Sequence, residues 1–312
     1  MASRPSFRPF NPVQSAPILV FGRTGQVAQE LARLSRSQQI AMVFAGRDTL
    51  DLANGGAPGA LIAQIKPSAV INAAAYTAVD RAQQEEAQAF QLNAHAPGQM
   101  AKACAGLGIS FIHYSTDYVF DGLLDRPYRE DDATGPRSVY GASKLAGEEA
   151  VLAAGGQAII LRTAWVVGAF GTNFVKTMLR LAASREEIGV VADQFGRPTW
   201  SASVAQAGLA ALDLLAKNPS AAGLYHAGGA DDASWADLAA GTFERSGPLG
   251  LAKARVKPIT TADYPSPAVR PANSRLDSSK FASLADWQPM AWTKALDHIL
   301  KDLATFPEGP DA

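Results

Sequence analysis

Five apolar runs of four to six residues, each followed by a stretch with helical spacing, constrain this chain more than any other feature. The first, Pro17-Ile-Leu-Val-Phe21, is apolar throughout and ends directly at a glycine. Continuous apolarity suits a strand buried on both faces of a parallel sheet. Helical spacing follows over Gln26 to Ser35, with Val27, Leu31 and Leu34 on one side. The runs Ile40 to Ala45, Ala69 to Asn72, Ser110 to Tyr114 and Ala158 to Leu161 predict four more strands. Helices are predicted around Leu61 to Lys66 and over Ala87 to Ala105 and Tyr140 to Ala153. Such alternation implies right-handed βαβ units and an α/β fold with a doubly wound parallel sheet of the Rossmann type.

Beyond about Trp165 the alternation loosens. Phe174 to Ala183 and Ser203 to Lys217 have helical spacing, and Thr260 to Asp277, rich in Pro, Ser and Ala, predicts a surface loop. We therefore expect a Rossmann domain over 17–165 and a smaller lobe over 166–312, with 203–217 returning to the first. The 312 residues are 47% hydrophobic, enough for two cores. A net charge of −1 gives no electrostatic footprint for nucleic acid or an anionic membrane. No stretch is apolar for long enough to span a bilayer. One cysteine, Cys104, rules out an internal disulfide and points to a reducing cytoplasm. Residues 1–16 lack the apolar segment of a secretory signal and are expected to be a disordered tail.

The first strand leads into Gly22-Arg-Thr-Gly25-Gln-Val-Ala28. A phosphate-binding turn needs a first glycine to turn tightly and a second to let the pyrophosphate approach. It also needs a small third residue for helix–strand packing. The N–H groups that open the next helix favour an anion. After the first strand of an alternating chain, this pattern points to a dinucleotide. Cofactor choice falls near the end of the second strand, at Gly46-Arg47-Asp48. Arg47 suits the 2′-phosphate of NADPH, whereas an acidic residue there would favour NADH. The other reading of Arg47 is a solvated loop residue. Asn72-Ala73-Ala74-Ala75-Tyr76-Thr77 has side chains small enough for a ribose or ring to approach, or simply packs tightly. Asp51-Leu52 either reaches the adenine or starts a turn.

Tyr140-Gly-Ala-Ser-Lys144 places a phenol and an ammonium one turn apart on a helix face. Carbonyl reduction needs hydride at carbon and a proton at oxygen. A free tyrosine holds its proton until about pH 10, and a nearby cation is expected to ease its release. Upstream, His113-Tyr114-Ser115-Thr116-Asp117 ends a strand, where α/β proteins place ligands. A hydroxyl from Thr116 or Ser115 can bond the carbonyl oxygen as charge develops on it. Glycine loop, strand-end hydroxyl and Tyr-x-x-x-Lys, in this order, indicate an oxidoreductase. The spacing of His95, His113, His226 and His298 fits no metal site.

These motifs resemble the extended short-chain dehydrogenase/reductases, from about Ile18 to the last helix. The resemblance includes Phe21-Gly-Arg-Thr-Gly-Gln-Val27, Asn72-Ala-Ala-Ala-Tyr-Thr-Ala-Val-Asp80 and His113-Tyr-Ser-Thr-Asp-Tyr-Val-Phe-Asp-Gly122. It continues through Tyr140-Gly-Ala-Ser-Lys-Leu-Ala-Gly-Glu148, Asp193-Gln-Phe-Gly-Arg-Pro-Thr199 and Arg270-Pro-Ala-Asn-Ser-Arg-Leu276. It implies NADPH-dependent reduction of a dTDP-sugar, the C4 ketone of dTDP-4-dehydro-L-rhamnose, to dTDP-L-rhamnose for cell-surface polysaccharide. By resemblance, Gly25, Gln26, Val27, Arg47, Asp51, Leu52, Ala75, Thr77 and Tyr114 would line the cofactor. Thr116, Asp117 and Trp165 would contact the sugar, with Asn173 and Arg197 near the diphosphate or base. Some relatives carry an acidic residue after the Pro-Thr string that ties a metal-bridged dimer. Here Pro198-Thr-Trp-Ser-Ala202 offers alanine, so no metal is assigned and a homodimer stays open. Two alternatives remain: another nucleotide-sugar reductase or epimerase, and a cofactor-binding regulatory subunit without turnover.

Overall fold

The computed structural model describes residues 16–305, so the expectation of a disordered tail falls almost wholly outside the described residues. Strand β1 (Ile18–Phe21) leads to α1 (Gln26–Gln38), β2 (Met42–Ala45), α2 (Pro58–Ile65) and β3 (Ala69–Asn72). Every residue of β1 and β3 is buried, as continuous apolarity requires. A short α3 (Val79–Ala82) precedes the predicted helix over 87–105. That helix is present as α4 (Glu86–Phe90), a π turn (Gln91–His95) and α5 (Ala96–Leu107). The wide turn has a local cause. Pro97 offers no N–H to the Asn93 carbonyl four residues back, and its ring crowds that oxygen.

The chain continues through β4 (Ser110–Thr116), α6 (Val139–Ala153) and β5 (Ala158–Thr163), then leaves the sheet. It forms β6 (Val166–Val167), α7 (Phe174–Ala182), β7 (Glu187–Val191), β8 (Phe195–Gly196) and β9 (Thr199–Trp200) before returning as α8 (Ser201–Lys217) and β10 (Gly223–His226). All six strands of the main sheet are parallel, in the order β10-β5-β4-β3-β1-β2. Helix α8 lies against this sheet, its Val204 carbonyl accepting the Tyr114 hydroxyl at 3.2 Å. Ser201–His226 thus lies with the main sheet, a span that includes the return expected of 203–217 and adds β10. Four residues opening on glycine gave β10 too weak a pattern to read.

The remaining elements are β11 (Ala233–Ser234), α9 (Trp235–Ser246), β12 (Arg255–Ile259), β13 (Asn273–Ser274), α10 (Ser279–Leu284) and α11 (Trp292–Thr305). Val167, Val175, Leu238, Leu296, Ile299 and Leu300 form the core of the second lobe. Between β12 and β13 the chain is mostly irregular, and Arg270 pins it to Asp80 of the first domain at 3.0 Å.

Helix α6 docks on the π turn with no room to spare. A Cβ on Gly147 would lie 1.9 Å from the Asn93 carbonyl oxygen, whereas one on Gly106 would meet nothing within 4 Å. Gly147→Ala should therefore lower the urea midpoint by the equivalent of about 1–3 kcal/mol. Gly106→Ala, in an exposed helical turn, should leave it unchanged or raise it by up to about 1 kcal/mol. Equal effects of the two changes would refute close docking at Gly147.

Candidate active site

Strand β1 lies between β2 and β3, so the chain winds one way after β1 and the other way from β3. The loops leaving β1 and β3 separate at this reversal and open a crevice at the strand ends. Gly22, at φ 106°, sits where a Cβ would lie 3.1 Å from the Ala73 carbonyl. Only glycine adopts that conformation readily and allows that approach. Gly25 is the N-cap of α1, without a side-chain cap, and a Cβ there would meet nothing within 4 Å. The first N–H groups of α1 thus face open space, as an anion site requires.

A cavity of about 570 Å³ runs from this loop past Arg47, Asp51 and Leu52. A second, also about 570 Å³, runs past Gln26, Val27, Thr77, Thr116, Tyr140, Lys144 and Trp165. Gly25 and Ala75 line both, so the two form one groove. Ala74 lines the first, and its N–H donates to Asn72 Oδ1 at 3.1 Å. Asp51 caps a short turn, accepting from Ala53 N–H at 2.9 Å, and Leu52 is buried behind it. Arg47 is exposed at the groove's end. Arg23, not singled out in the sequence, lies there too and pairs with Asp48 at 2.7 Å. Its position inside the glycine loop was the signal that would have found it.

Beyond Thr116, β4 gives way to a turn in which the Thr116 hydroxyl accepts from Tyr118 N–H at 3.2 Å. Ser138 caps α6, accepting from Gly141 N–H at 3.1 Å, so Tyr140 falls in the first turn and Lys144 one turn later. Tyr140 lines the groove together with Thr116 and meets Tyr118 edge-on. The Ser115 hydroxyl is buried without a partner. Burial holds Tyr140 up at about 12, against a smaller lowering by Thr116. The expected lowering by the Lys144 ammonium is therefore corrected for the protein alone. Burial brings Lys144 itself down to about 8, and its Nζ donates to the Tyr114 carbonyl at 2.6 Å. Asp117, buried with Oδ2 unpaired, is pushed up to about 6 by desolvation, with Ser274 and Thr116 opposing.

Four residues sit differently from the simplest expectation. Tyr114 lines the groove through its backbone, because its ring points under α8 and bonds Val204. Trp165 both lines the groove and stacks on Trp235, 3.5 Å between centroids. Asn173 spends its amide on protein. It caps α7, accepting from Lys176 N–H at 3.2 Å, and donates to Gly168 O and to Gln26 Oε1. Its place is behind Gln26, not as an open polar group. Arg197 lines a separate cavity, held by Asp232 at 2.7 Å and the Leu276 carbonyl at 3.0 Å.

Asn93 is not legible in the sequence because its partners, Tyr76 and Ser143, lie far from it along the chain; the one local signal is Pro97, which widens the turn. Its side chain accepts from Tyr76 N–H at 2.8 Å and donates to the Tyr76 carbonyl and Ser143 hydroxyl. Ser143 in turn donates to the Tyr140 carbonyl at 2.8 Å. One amide thereby joins the loop after β3 to the helix carrying Tyr140 and Lys144. Cys104 is buried and its thiol is pushed up to about 12, as befits a small core residue.

The RmlD substrate binding domain model matches residues 16–305. The chain is 43% identical over 294 residues to a dTDP-4-dehydrorhamnose reductase of Burkholderia thailandensis, covering 92% of this chain and 98% of that one. A crystal structure of a dTDP-4-dehydrorhamnose reductase from Clostridium acetobutylicum superposes with TM-score 0.83 at 33% identity, covering 91% and 98%. That of a dTDP-4-dehydrorhamnose reductase from Bacillus anthracis, in complex with NADP, gives TM-score 0.82 at 30% identity, covering 92% and 99%.

The raised Asp117 acid carries a stability cost with a definite sign. Its folded form keeps a proton that the unfolded chain releases near pH 4, so stability falls as pH rises from about 4 to 6. Asp117→Asn should remove that fall, stabilising the protein by up to about 3 kcal/mol at pH 7 and by little at pH 4. Urea unfolding at the two pH values reads the difference, and an equal change at both would contradict a buried, charged Asp117.

Proposed function

The chain belongs to the RmlD substrate-binding-domain family, and on that premise we propose that Tyr140 is the proton donor in NADPH-dependent reduction of dTDP-4-dehydro-L-rhamnose at C4. The observation that carries this reading is that Tyr140, Thr116 and Lys144 line one groove, which begins at the uncapped start of α1. The nicotinamide supplies hydride to C4 when bound. The residues around Gly22, Gly25 and Ala73–Ala75 fit a dinucleotide, since the backbone there leaves a trough that side chains would fill. Arg47, with Arg23 beside it, provides the cationic end for a 2′-phosphate.

Tyr140 keeps its proton at neutral pH, which suits the acid in the reductive direction. Thr116 orients that phenol and offers a bond to the carbonyl oxygen as negative charge builds. Proton transfer from Tyr140 to that oxygen completes the alcohol and leaves a phenolate. Lys144, buried in the same groove, stabilises this anion. Asp117 and Trp165 line the sugar's side of the groove.

A regulatory subunit without turnover is disfavoured because Thr116, Tyr140 and Lys144 share one groove. The names of the relatives favour a reductase over an epimerase. We assign the reaction to the cytoplasm, where the free thiol of Cys104 stays reduced. Ala202 is buried in α8, so any pairing of two copies lacks a bridging carboxylate at that position.

Nicotinamide absorbance should fall when the protein meets NADPH and dTDP-4-dehydro-L-rhamnose, and other 4-keto sugar nucleotides should react more slowly. Tyr140→Phe should lower kcat by about 10²–10⁴ while NADPH still binds; unchanged turnover would exclude Tyr140 as the acid. Arg47→Ala should raise the KM for NADPH about tenfold and leave that for NADH unchanged, the loss of about one charge-assisted bond. Equal effects on both cofactors would remove Arg47 from the 2′-phosphate site.

A further inference from the structure

Behind the catalytic helix, a buried chain of polar groups runs from the loop after β3 to Lys144, and its donor direction is set at one end. The Ala74 N–H can only donate, and it donates to Asn72 Oδ1 at 3.1 Å. Asn72 Nδ2 therefore faces His113 Nδ1, at 3.0 Å, as a donor. Nδ1 must then carry a lone pair. A neutral imidazole so held keeps its proton on Nε2, an assignment made from the hydrogen-bond network. Nε2 lies 3.4 Å from Lys144 Nζ.

An Nε2–H and an ammonium are both donors and cannot bond each other. An Nε2–H and an uncharged amine can. Burial holds His113 neutral, far below its usual titration range, with the Lys144 charge acting in the same direction. We propose that His113 is a positioning residue for the reaction, its Nε2–H, aimed by Asn72, favouring the uncharged amine of Lys144. Lys144 thereby takes up and releases protons near neutral pH, resupplying the groove that it lines with Tyr140. The proposal rests on Tyr140 being the proton donor.

Other groups do not override this. Glu148, on the same helix, raises Lys144, but its carboxylate is claimed by Arg162 of β5 at 2.6 and 2.8 Å. Asp117, after β4, is half-titrated near pH 6 and bonded to Thr116. Tyr140 and Tyr118 stay protonated at neutral pH. Burial brings Lys144 down to about 8 against Glu148, and the opposed Nε2–H acts in the same direction as burial.

The test is nuclear magnetic resonance on the full chain without substrate, together with the pH profile of turnover. The imidazole nitrogens of His113 should report the Nε2–H form, untitrated between about pH 6 and 9. The Lys144 midpoint, followed at its ε-carbon, should rise by about one unit in His113→Phe. Asn72→Asp, whose carboxylate accepts from Nδ1 and reverses the tautomer, should raise it too, but not in the His113→Phe background. The limb of the kcat profile that follows Lys144 should move in step. A proton on Nδ1, an imidazolium, or an equal Asn72→Asp shift in both backgrounds would overturn the proposal. The tautomer is read in the unaltered protein, so neither a misfolded variant nor a failure of the Tyr140 assignment can mask the answer.

Discussion

The structure turns on the contact between the Asn93 π turn and α6, the helix that carries Tyr140 and Lys144. Pro97 denies the Asn93 carbonyl its helical donor, the turn widens, and Gly147 alone leaves space for that oxygen. The freed side chain then clamps Tyr76 on one side and Ser143 on the other. Because Tyr76 lies between Ala75 and Thr77, a single amide ties one wall of the groove to the helix that carries Tyr140.

Burial supplies the electrostatics of this site more than neighbouring charge does. Lys144, Asp117 and His113 are buried and Tyr140 is half-buried, and in each case desolvation is the largest influence on its proton affinity. The direction is common to all four: each is pushed towards its uncharged form. The Glu148–Arg162 pair balances its own charges beneath the site.

Much of this was legible in the residues themselves. Continuous apolar runs identified five of the six strands of the main sheet: burial on both faces imposes that pattern on β1 and β3, and the edge strand β2 is apolar though partly exposed. Gly22, Gly25, Thr116, Tyr140 and Lys144 stood out because each meets a local demand of turn, strand end or helix spacing. The fit fades where function depends on what a side chain meets. Tyr114 resembles a cofactor contact by position, yet its ring serves α8; Asn173 looks free in sequence, yet its amide is spent on Gln26, Gly168 and Lys176.

Sequence alone therefore determined the fold class, the glycine turn that opens α1 and the spacing that sets Tyr140 and Lys144 one helical turn apart. Hydrophobic period, glycine placement and helical spacing act between near neighbours, so the chain displays them directly. Tertiary structure alone decided which groups lose their water and which donor faces which acceptor. Asn72, Asn93, His113 and Lys144 come from four separate elements, and only folding brings them within hydrogen-bonding distance of their partners. Their proton affinities are properties of that enclosure, which no stretch of sequence contains.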